Sequence, residues 1–230
     1  MTKSVACLLL LVSASCLADN MTVDKIYHPY VLANEREVEW RLMSSNTDAG
    51  NLLAQRLGYG QAFTENKSIE FYVIGERDSD DNFTVSGYEI ETRWMLTEQG
   101  EYSSDWGAFF EIEKQDSEAN YEFSSGLIVE KELGKVSATL NGILSYEWGD
   151  TAENELEIAM RGKVRYRYLS AFQPSVEFHV GERFAAIGPG FMGTYRFDGQ
   201  KQLKWEASFV TEVSQPGKHH TLRFGIEYEF

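Results

Sequence analysis

Four basic residues occupy alternate positions in one short stretch of the chain: Arg161, Lys163, Arg165 and Arg167. On a β-strand, alternate side chains point to the same face and lie roughly 6–7 Å apart, so the four would form one basic row. Such a row can bind an anionic solute, and guanidinium groups also stack on aromatic rings. Neighbouring cations repel one another unless anions offset them, and Glu177 and Glu206 are candidates for that role.

Carboxylates are concentrated in another part of the chain, where they form a predicted acidic wall. Its members are Glu70, Glu76, Glu89, Glu91, Glu111, Glu113, Glu122, Glu130 and Glu132, with Arg93 as their expected basic partner. If the basic row and the acidic wall line one cavity, they produce a transverse field of the kind that sets selectivity in pores. Alternatively, the two sets form ion pairs that fill a narrow cavity, because a buried charge without a partner is costly. The sequence leaves both interpretations open.

The histidines are weaker candidates. His179 shares a strand face with Glu177 and could act as a base or a ligand. A single histidine in a polar cavity is more commonly a hydrogen-bonded polar residue. His219 and His220 are adjacent, so on a strand they point to opposite faces and cannot hold one ion together. We therefore predict neither a metal site nor a cofactor.

Hydrolytic chemistry needs a nucleophile within hydrogen-bond reach of a base. No G-x-S-x-G motif occurs. Ser170 and His179 are the nearest approach to such a pair, because we place Ser170 at the end of one strand and His179 at the start of the next. The stretch "SAFQPS" between those strands is typical of a turn, and we predict that the protein is not an enzyme.

The elements that carry these residues alternate apolar and polar positions with a period of two, from about residue 35 to the end, as β-strands do. Turn-forming sequences such as "SNTDAG" and "DGQK" separate the segments, and the four prolines are expected outside strand interiors. Twelve segments are predicted, at residues 36–45, 51–64, 68–77, 83–96, 104–115, 120–132, 136–148, 154–169, 175–185, 190–198, 201–213 and 219–230.

Aromatic residues indicate which face points outwards. If the last strand ends in the periplasm, a set of aromatic side chains lies at one height on the apolar face, as in the girdles of membrane barrels: Phe63, Phe71, Trp94, Trp106, Tyr166, Tyr168, Phe178, Trp205, Tyr228 and Phe230. We therefore predict an all-β fold, a closed antiparallel transmembrane β-barrel of about 12 strands over residues 35–230. Leu140, Val164 and Trp205 should face lipid. Because lipid cannot satisfy a free strand edge, the last strand should pair with the first. A soluble periplasmic β-barrel or β-sandwich is the alternative.

The N-terminus has the pattern of a secretory signal peptide, with a lysine, an apolar run and small residues before Ala18. We predict cleavage after residue 18, which removes both cysteines, Cys7 and Cys16; lipidation of Cys16 is the alternative. Residues 19–34 would then be a lead-in at the periplasmic side. The net charge of −15 disfavours nucleic acid as a partner.

The signal peptide, the alternation and the terminal "EYEF" together resemble bacterial outer-membrane β-barrel proteins. The resemblance implies a location in the outer membrane of a Gram-negative bacterium, contact with outer-membrane lipid, and recognition of the C-terminal Phe230 by the barrel-insertion machinery. The stretches "HPYV", "IGPGFMG" and "EYEF" also resemble a family of outer-membrane proteins associated with phenol-degradation pathways. That second resemblance implies transport of small organic molecules.

Two functions follow from these expectations. The first is a channel or transporter for small, aromatic or anionic solutes, with the path lined by Arg161, Lys163, Arg165, Arg167, Glu89, Glu91, Arg93, Glu111, Glu113, Glu130, Glu177 and His179. The second is a plugged barrel with a structural or partner-binding role. Residues 19–34 folded into the lumen would favour the second.

Overall fold

The structure is a computed structural model that describes residues 23–47, 50–77, 82–152, 154–182, 184–199, 201–214 and 219–230. The predicted signal peptide, residues 1–18, lies outside the described residues. In the described ranges, no helix is long and apolar enough to cross a membrane. The strands are β1 (Arg36–Thr47), β2 (Gly50–Thr64), β3 (Lys67–Arg77), β4 (Phe83–Met95), β5 (Asp105–Gln115), β6 (Asn120–Leu133), β7 (Val136–Gly149), β8 (Glu155–Tyr166), β9 (Gln173–Val180), β10 (Ala185–Arg196), β11 (Gln202–Glu212) and β12 (His220–Glu229).

The sheet closes on itself. Each strand pairs antiparallel with its neighbours in sequence, and β1 pairs with β12. The closing seam runs from Glu37 opposite Glu229 to Asn46 opposite His220. Closure leaves no free strand edge in the described part of the chain, which is what a sheet in hydrocarbon requires. The prediction that the last strand pairs with the first is confirmed, and this pairing explains why the alternation continues to the C-terminus.

At most strand positions, apolar side chains face outwards and polar side chains face inwards. On β3, Glu70 is 1% exposed and the next residue, Phe71, is 49% exposed; on β8, Lys163 is 1% exposed and Val164 is 49% exposed. A soluble barrel has the reverse arrangement, whereas a membrane barrel presents its apolar face to lipid. The predicted closed antiparallel transmembrane β-barrel is therefore confirmed, with twelve strands.

Aromatic side chains lie on the outer surface near both ends of the barrel. We call the end where β1 begins and β12 ends the terminal end, and the opposite end the loop end. Exposed aromatic side chains lie on the outer surface towards the terminal end, among them Phe63, Trp94, Trp106 and Tyr166. These residues agree with the predicted girdle, since aromatic rings settle where headgroups meet hydrocarbon. Phe83, Phe123 and Tyr146 are exposed towards the loop end, and membrane barrels carry girdles at both interfaces.

The largest differences from the predicted strands occur around β9 and β10. β9 covers Gln173–Val180 and β10 begins at Ala185, because the glycines of "IGPGFMG" obscured the alternation. The prediction that the prolines lie outside strand interiors was wrong for Pro189, which pairs with Val176 of β9; Pro174 is the second residue of β9. β10 tolerates Pro189 because its pairing with β11 is interrupted there, passing from Ile187–Thr211 directly to Gly190–Ser208. A missing N–H at that gap breaks no ladder bond.

Candidate functional site

All but one of the predicted site residues lie on the inner wall of the barrel, at positions that alternate with outward apolar side chains. Glu91, Glu130 and His179 have no exposed surface at all. The inward members are Glu89, Glu91, Arg93, Glu111, Glu113, Glu130, Arg161, Lys163, Arg165, Glu177 and His179.

Arg167 is the exception. β8 ends at Tyr166, so Arg167 lies in the turn beyond it, and its side chain is 34% exposed. Its guanidinium donates to Glu132 Oε1 at 2.6 Å and to the carbonyl of Gly134 at 2.6 Å. The predicted basic row therefore has three members inside the barrel, and the fourth braces the β6–β7 turn at the terminal end.

Residues 23–31, which we call the plug segment, lie inside the bore. They belong to the predicted lead-in, of which residues 19–22 lie outside the described residues. Tyr30 donates to Asp105, the first residue of β5, at 2.8 Å. Val23, at the other end of the segment, packs against Met43, deeper in the barrel. The segment thus runs from the terminal end into the interior.

Asp24 connects opposite sides of the barrel. Its Oδ1 accepts a hydrogen bond from Arg41 Nη1 of β1 at 3.1 Å. Its Oδ2 lies 3.5 Å from Arg56 Nη1 of β2 and 3.6 Å from Arg161 Nη1 of β8. In the ring of twelve strands, β8 lies opposite β1 and β2. One carboxylate between three guanidinium groups therefore bridges the bore at this level.

Lys25 has the opposite charge and meets wall residues of the opposite sign. Its Nζ donates to Glu39 Oε2 at 2.8 Å and lies 3.8 Å from Glu227 Oε2. Its backbone carbonyl lies 3.3 Å from Arg161 Nη1 and accepts a hydrogen bond from it. Adjacent residues of the plug segment are thus matched to different charged groups of the wall, which fixes the register of the segment.

Tyr27 is held at three points. Its backbone N–H donates to Asn141 Oδ1 at 2.7 Å, and its carbonyl accepts from Asn141 Nδ2 at 2.9 Å. Its hydroxyl donates to Glu91 Oε2 at 2.9 Å. Its ring lies against that of Phe109, with centroids 4.4 Å apart. His28, the next residue, places Nδ1 2.5 Å from Glu130 Oε2.

Two inward apolar clusters receive the plug segment, and the sequence analysis missed both. Tyr27 packs with Phe109, Ile128 and Ile143, and Val23 packs with Met43, Ala186 and Val210. The available signal was a pair of adjacent apolar residues within an alternating strand, as in "FF" at 109–110 and "IL" at 143–144. Since neighbouring side chains on a strand point to opposite faces, one member of each pair must face inwards.

A second ionic cluster lies on the inner faces of β8, β9, β11 and β12. Lys163 Nζ lies 3.2 Å from both Glu177 Oε1 and Glu206 Oε2. Arg223 Nη2 donates to Glu177 Oε2 at 2.8 Å, and Arg223 also pairs with Glu206. Glu177 and Glu206 thus offset Lys163, as the sequence suggested, while Arg223 was not foreseen. Arg165, the next member of the row, lies 3.3 Å from Glu130 Oε1.

Basic residues also interrupt the acidic wall. Arg93 pairs with Glu70 and lies 3.3 Å from Glu37. Arg56 Nη1 donates to Glu89 Oε2 at 2.5 Å, and Arg56 Nη2 lies 3.6 Å from Glu113 Oε2. Arg93 was predicted as a partner; Arg56 was not, because it comes from β2, outside the stretch that carries the carboxylates.

The hydrolytic pair is not assembled. Ser170 lies in the turn before β9 and donates to the carbonyl of Thr194 at 3.2 Å. His179 lies near the far end of β9, on the inner wall, with Nε2 3.9 Å from Glu177 Oε2. The expectation that His179 starts its strand was wrong, and the length of β9 separates the two residues.

Among the described residues, two groups of carboxylates come close enough to share a cation: Glu35, Glu37, Glu227 and Glu229, and separately Glu89, Glu111 and Glu113. Each group already has a basic partner. Lys204 contacts Glu35, Glu227 and Glu229, and Arg56 contacts Glu89 and Glu113. These clusters are therefore read as ion-pair networks of the wall.

No family model and no curated protein matches the sequence. Solved structures of barrels do match. The COG4313 outer membrane channel from Pseudomonas putida F1 is 13% identical, with a TM-score of 0.60 over 90% of this chain and 100% of that one. The KdgM porin is 15% identical, with a TM-score of 0.58 over 84% and 99%. KdgM in complex with disordered oligogalacturonate is 13% identical, with a TM-score of 0.57 over the same shares. These similarities show a shared barrel fold.

Proposed function

We propose that this protein is an outer-membrane channel for small solutes and that its own plug segment closes it. The proposal rests on one observation: side chains of the wall, and not backbone pairing in the sheet, hold the plug segment. The barrel closes through the pairing of β1 with β12, in which the plug segment takes no part. The wall grips the segment through side chains such as Asn141, Arg41 and Glu39. The segment can therefore leave without breaking the barrel.

A charged inner wall supports the same proposal. A bore meant only to be filled could be packed with apolar side chains, which is often as stable as buried ion pairs. A polar wall is what a water-filled path needs. The phenolic cargo implied by the sequence resemblance and the solute path along Arg161, Lys163 and Arg165 stay predictions.

The solute class we propose is small organic anions. One of the similar barrels, KdgM, is described in complex with oligogalacturonate, whose sugar units carry carboxylates. Three members of the basic row face this bore, and Arg41 and Arg56 join them. Anions are therefore the first solutes to test, with neutral sugars as the comparison.

Export and location complete the proposal. Cleavage after Ala18 would leave four residues, 19–22, before Val23. We propose that the mature chain resides in the outer membrane of a Gram-negative bacterium. The mass of the protein purified from outer-membrane fractions tests the cleavage site, and it also tests lipidation of Cys16.

Conductance in planar bilayers tests the function. We expect the mature protein to show small or rare openings, and a variant lacking residues 23–31 to show large, steady openings. Heat-modifiable gel migration of both proteins establishes that the barrel is folded. Leu32→Ser is the matched control, because Leu32 is 55% exposed just outside the plug segment, and it should conduct as the unaltered protein does.

The second candidate is a plugged barrel with a structural or partner-binding role. It is favoured by the position of residues 23–31 inside the bore, which is the outcome that the sequence analysis associates with a plugged barrel, and by the bonds that hold Asp24, Lys25 and Tyr27 there. The same recording separates the two functions. If the variant without residues 23–31 is folded yet passes no current, the channel proposal is wrong and the second candidate replaces it.

A further inference from the structure

The contacts of Asp24 define a binding site that is built from the barrel wall. Arg41, Arg56 and Arg161 reach its two carboxylate oxygens from opposite sides of the bore, at 3.1, 3.5 and 3.6 Å. The side chain of Arg41 is 4% exposed, and those of Arg56 and Arg161 are 15% exposed. Three buried guanidinium groups that converge on one carboxylate form a specific arrangement, since guanidinium geometry matches a carboxylate.

Two of the three arginines, Arg41 and Arg56, are held in place by wall groups. Arg41 Nε lies 3.2 Å from Glu39 Oε1, and its guanidinium stacks on the ring of Tyr72 at 4.7 Å. Arg56 is bonded to Glu89. When the plug segment leaves, Arg41 and Arg56 therefore keep their positions in the wall, whereas Arg161 loses its contacts with Asp24 and Lys25.

The charge balance of the site depends on Asp24. Glu39 offsets Arg41 and Glu89 offsets Arg56. Arg161 has no second carboxylate among the salt bridges of the described part of the chain, and its other contact is the carbonyl of Lys25. Departure of the plug segment removes Asp24 and Lys25 together. Arg161 is then left without its carboxylate, and a buried cation without a partner favours binding of an anion beside it.

We propose that Asp24 occupies the solute site of the channel and that the carboxylate of an organic anion displaces it. This inference rests on the proposed function and names its substrate class and its regulation. The solute carboxylate takes the place of Asp24 between Arg41, Arg56 and Arg161. The solute and the plug segment then compete for one site, so an anion opens the path that it uses.

The test measures release of the plug segment directly. Residues 19–230 contain no cysteine, so Val23→Cys introduces a single reactive thiol at a position that is 3% exposed. A water-soluble maleimide should label it slowly. Galacturonate should accelerate labelling at least about tenfold. A tenfold change corresponds to about 1.4 kcal/mol, and a single hydrogen bond to a charged group contributes at least about that much. Galactose, which lacks the carboxylate, should not accelerate labelling. As a second control, Leu32→Cys should be labelled rapidly in all conditions.

Substitutions identify the site. With Val23→Cys present, Asp24→Asn should give rapid labelling without any anion. Arg161→Gln should reduce the acceleration by galacturonate to less than twofold. Arg167→Gln removes the same charge from a turn outside the bore and should preserve the acceleration. Equal effects of galacturonate and galactose, or an effect that survives Arg161→Gln, would overturn the inference.

Parallel conductance recordings separate this inference from the proposed function. If labelling responds to galacturonate while no variant conducts, the carboxylate site stands and the channel proposal fails. If the variant lacking residues 23–31 conducts while labelling ignores galacturonate, the channel stands and the carboxylate site fails.

Discussion

The side chain of Asn141 bonds to both backbone groups of Tyr27, as the backbone of a neighbouring strand would. Its amide accepts from the N–H of Tyr27 and donates to the carbonyl of the same residue, at 2.7 and 2.9 Å. Asparagine can do this because its amide carries both a donor and an acceptor. Tyr27 and Asn141 have no exposed surface, so the bonds are made away from water, where leaving them unmade is costly.

Replacement of Asn141 by leucine should therefore release the plug segment and spare the barrel. Asn141→Leu leaves a buried N–H and a buried C=O of Tyr27 without partners, at a cost of roughly 1–3 kcal/mol each. Thiol labelling at Val23→Cys measures the release, and heat-modifiable migration should remain as in the parent protein. Ser145→Ala is the control, because Ser145 lies further along the inner row of β7 and bonds to Ser124. If labelling stays slow in Asn141→Leu, Asn141 does not hold the plug segment in place.

At this scale the sequence predicted which charged residues face inwards but not what they meet. Alternation assigns Arg161 to the inner face, because the rule is local to one strand. Its partner, Asp24, is 137 residues away in the chain and belongs to a stretch with no periodicity. Arg165 and Arg167 looked equivalent in the sequence, and only the end of β8 at Tyr166 separates them.

Strand β7 shows how one element serves both membrane and bore. Its inner row has Ser137, Thr139 and Asn141, which are buried, and then changes to Ile143, which packs on Tyr27. Its outer row carries Leu140 and Leu144. The strand was predicted from residue 136 to 148 and spans Val136–Gly149, because strict alternation over this length has no competing interpretation. β9 and β10 were predicted less well, since glycine and proline residues carry no facial preference.

A charge on the outer row of β7 should be much more damaging than loss of side-chain volume there. Leu140→Arg places a guanidinium in the hydrocarbon, at an expected cost of about 2–4 kcal/mol near the middle of the membrane. Leu140→Ala, the control, loses apolar contact without introducing charge. Urea titration of the barrels folded in lipid vesicles gives the unfolding free energies. Equal stabilities for the two variants would mean that the outer face does not meet lipid.

Across the whole molecule, the barrel and the plug segment are built by different rules. Backbone pairing around twelve strands creates the barrel, and a period-two pattern is sufficient to predict it. The plug segment is held by side chains that converge from at least β1, β2, β4, β7 and β8. No local sequence pattern encodes such convergence. The sequence therefore predicted the barrel but not the contacts of the plug segment inside it.

The last residue provides a test of how the whole barrel is assembled. The backbone N–H of Phe230 donates to the carbonyl of Arg36 at 2.9 Å, and its ring stacks on Tyr228, with centroids 5.8 Å apart. Phe230→Ala keeps the backbone bond and loses only a ring that is 44% exposed. The isolated protein should therefore refold in detergent micelles as efficiently as the parent.

In cells the expectation is different, because we propose that the insertion machinery recognises the terminal aromatic. The amount of folded Phe230→Ala protein in outer-membrane fractions should fall severalfold, while the efficiency of its refolding in vitro is unchanged. Phe209→Ala removes a similarly exposed aromatic ring from the outer face of β11. It should not lower the amount of folded protein in outer-membrane fractions severalfold, and it should not change refolding in vitro. If the two variants lose folded protein equally in cells, the terminal position has no special role, and loss of apolar surface explains both. If Phe230→Ala also fails to refold in detergent, the ring acts by stabilising the β1–β12 seam.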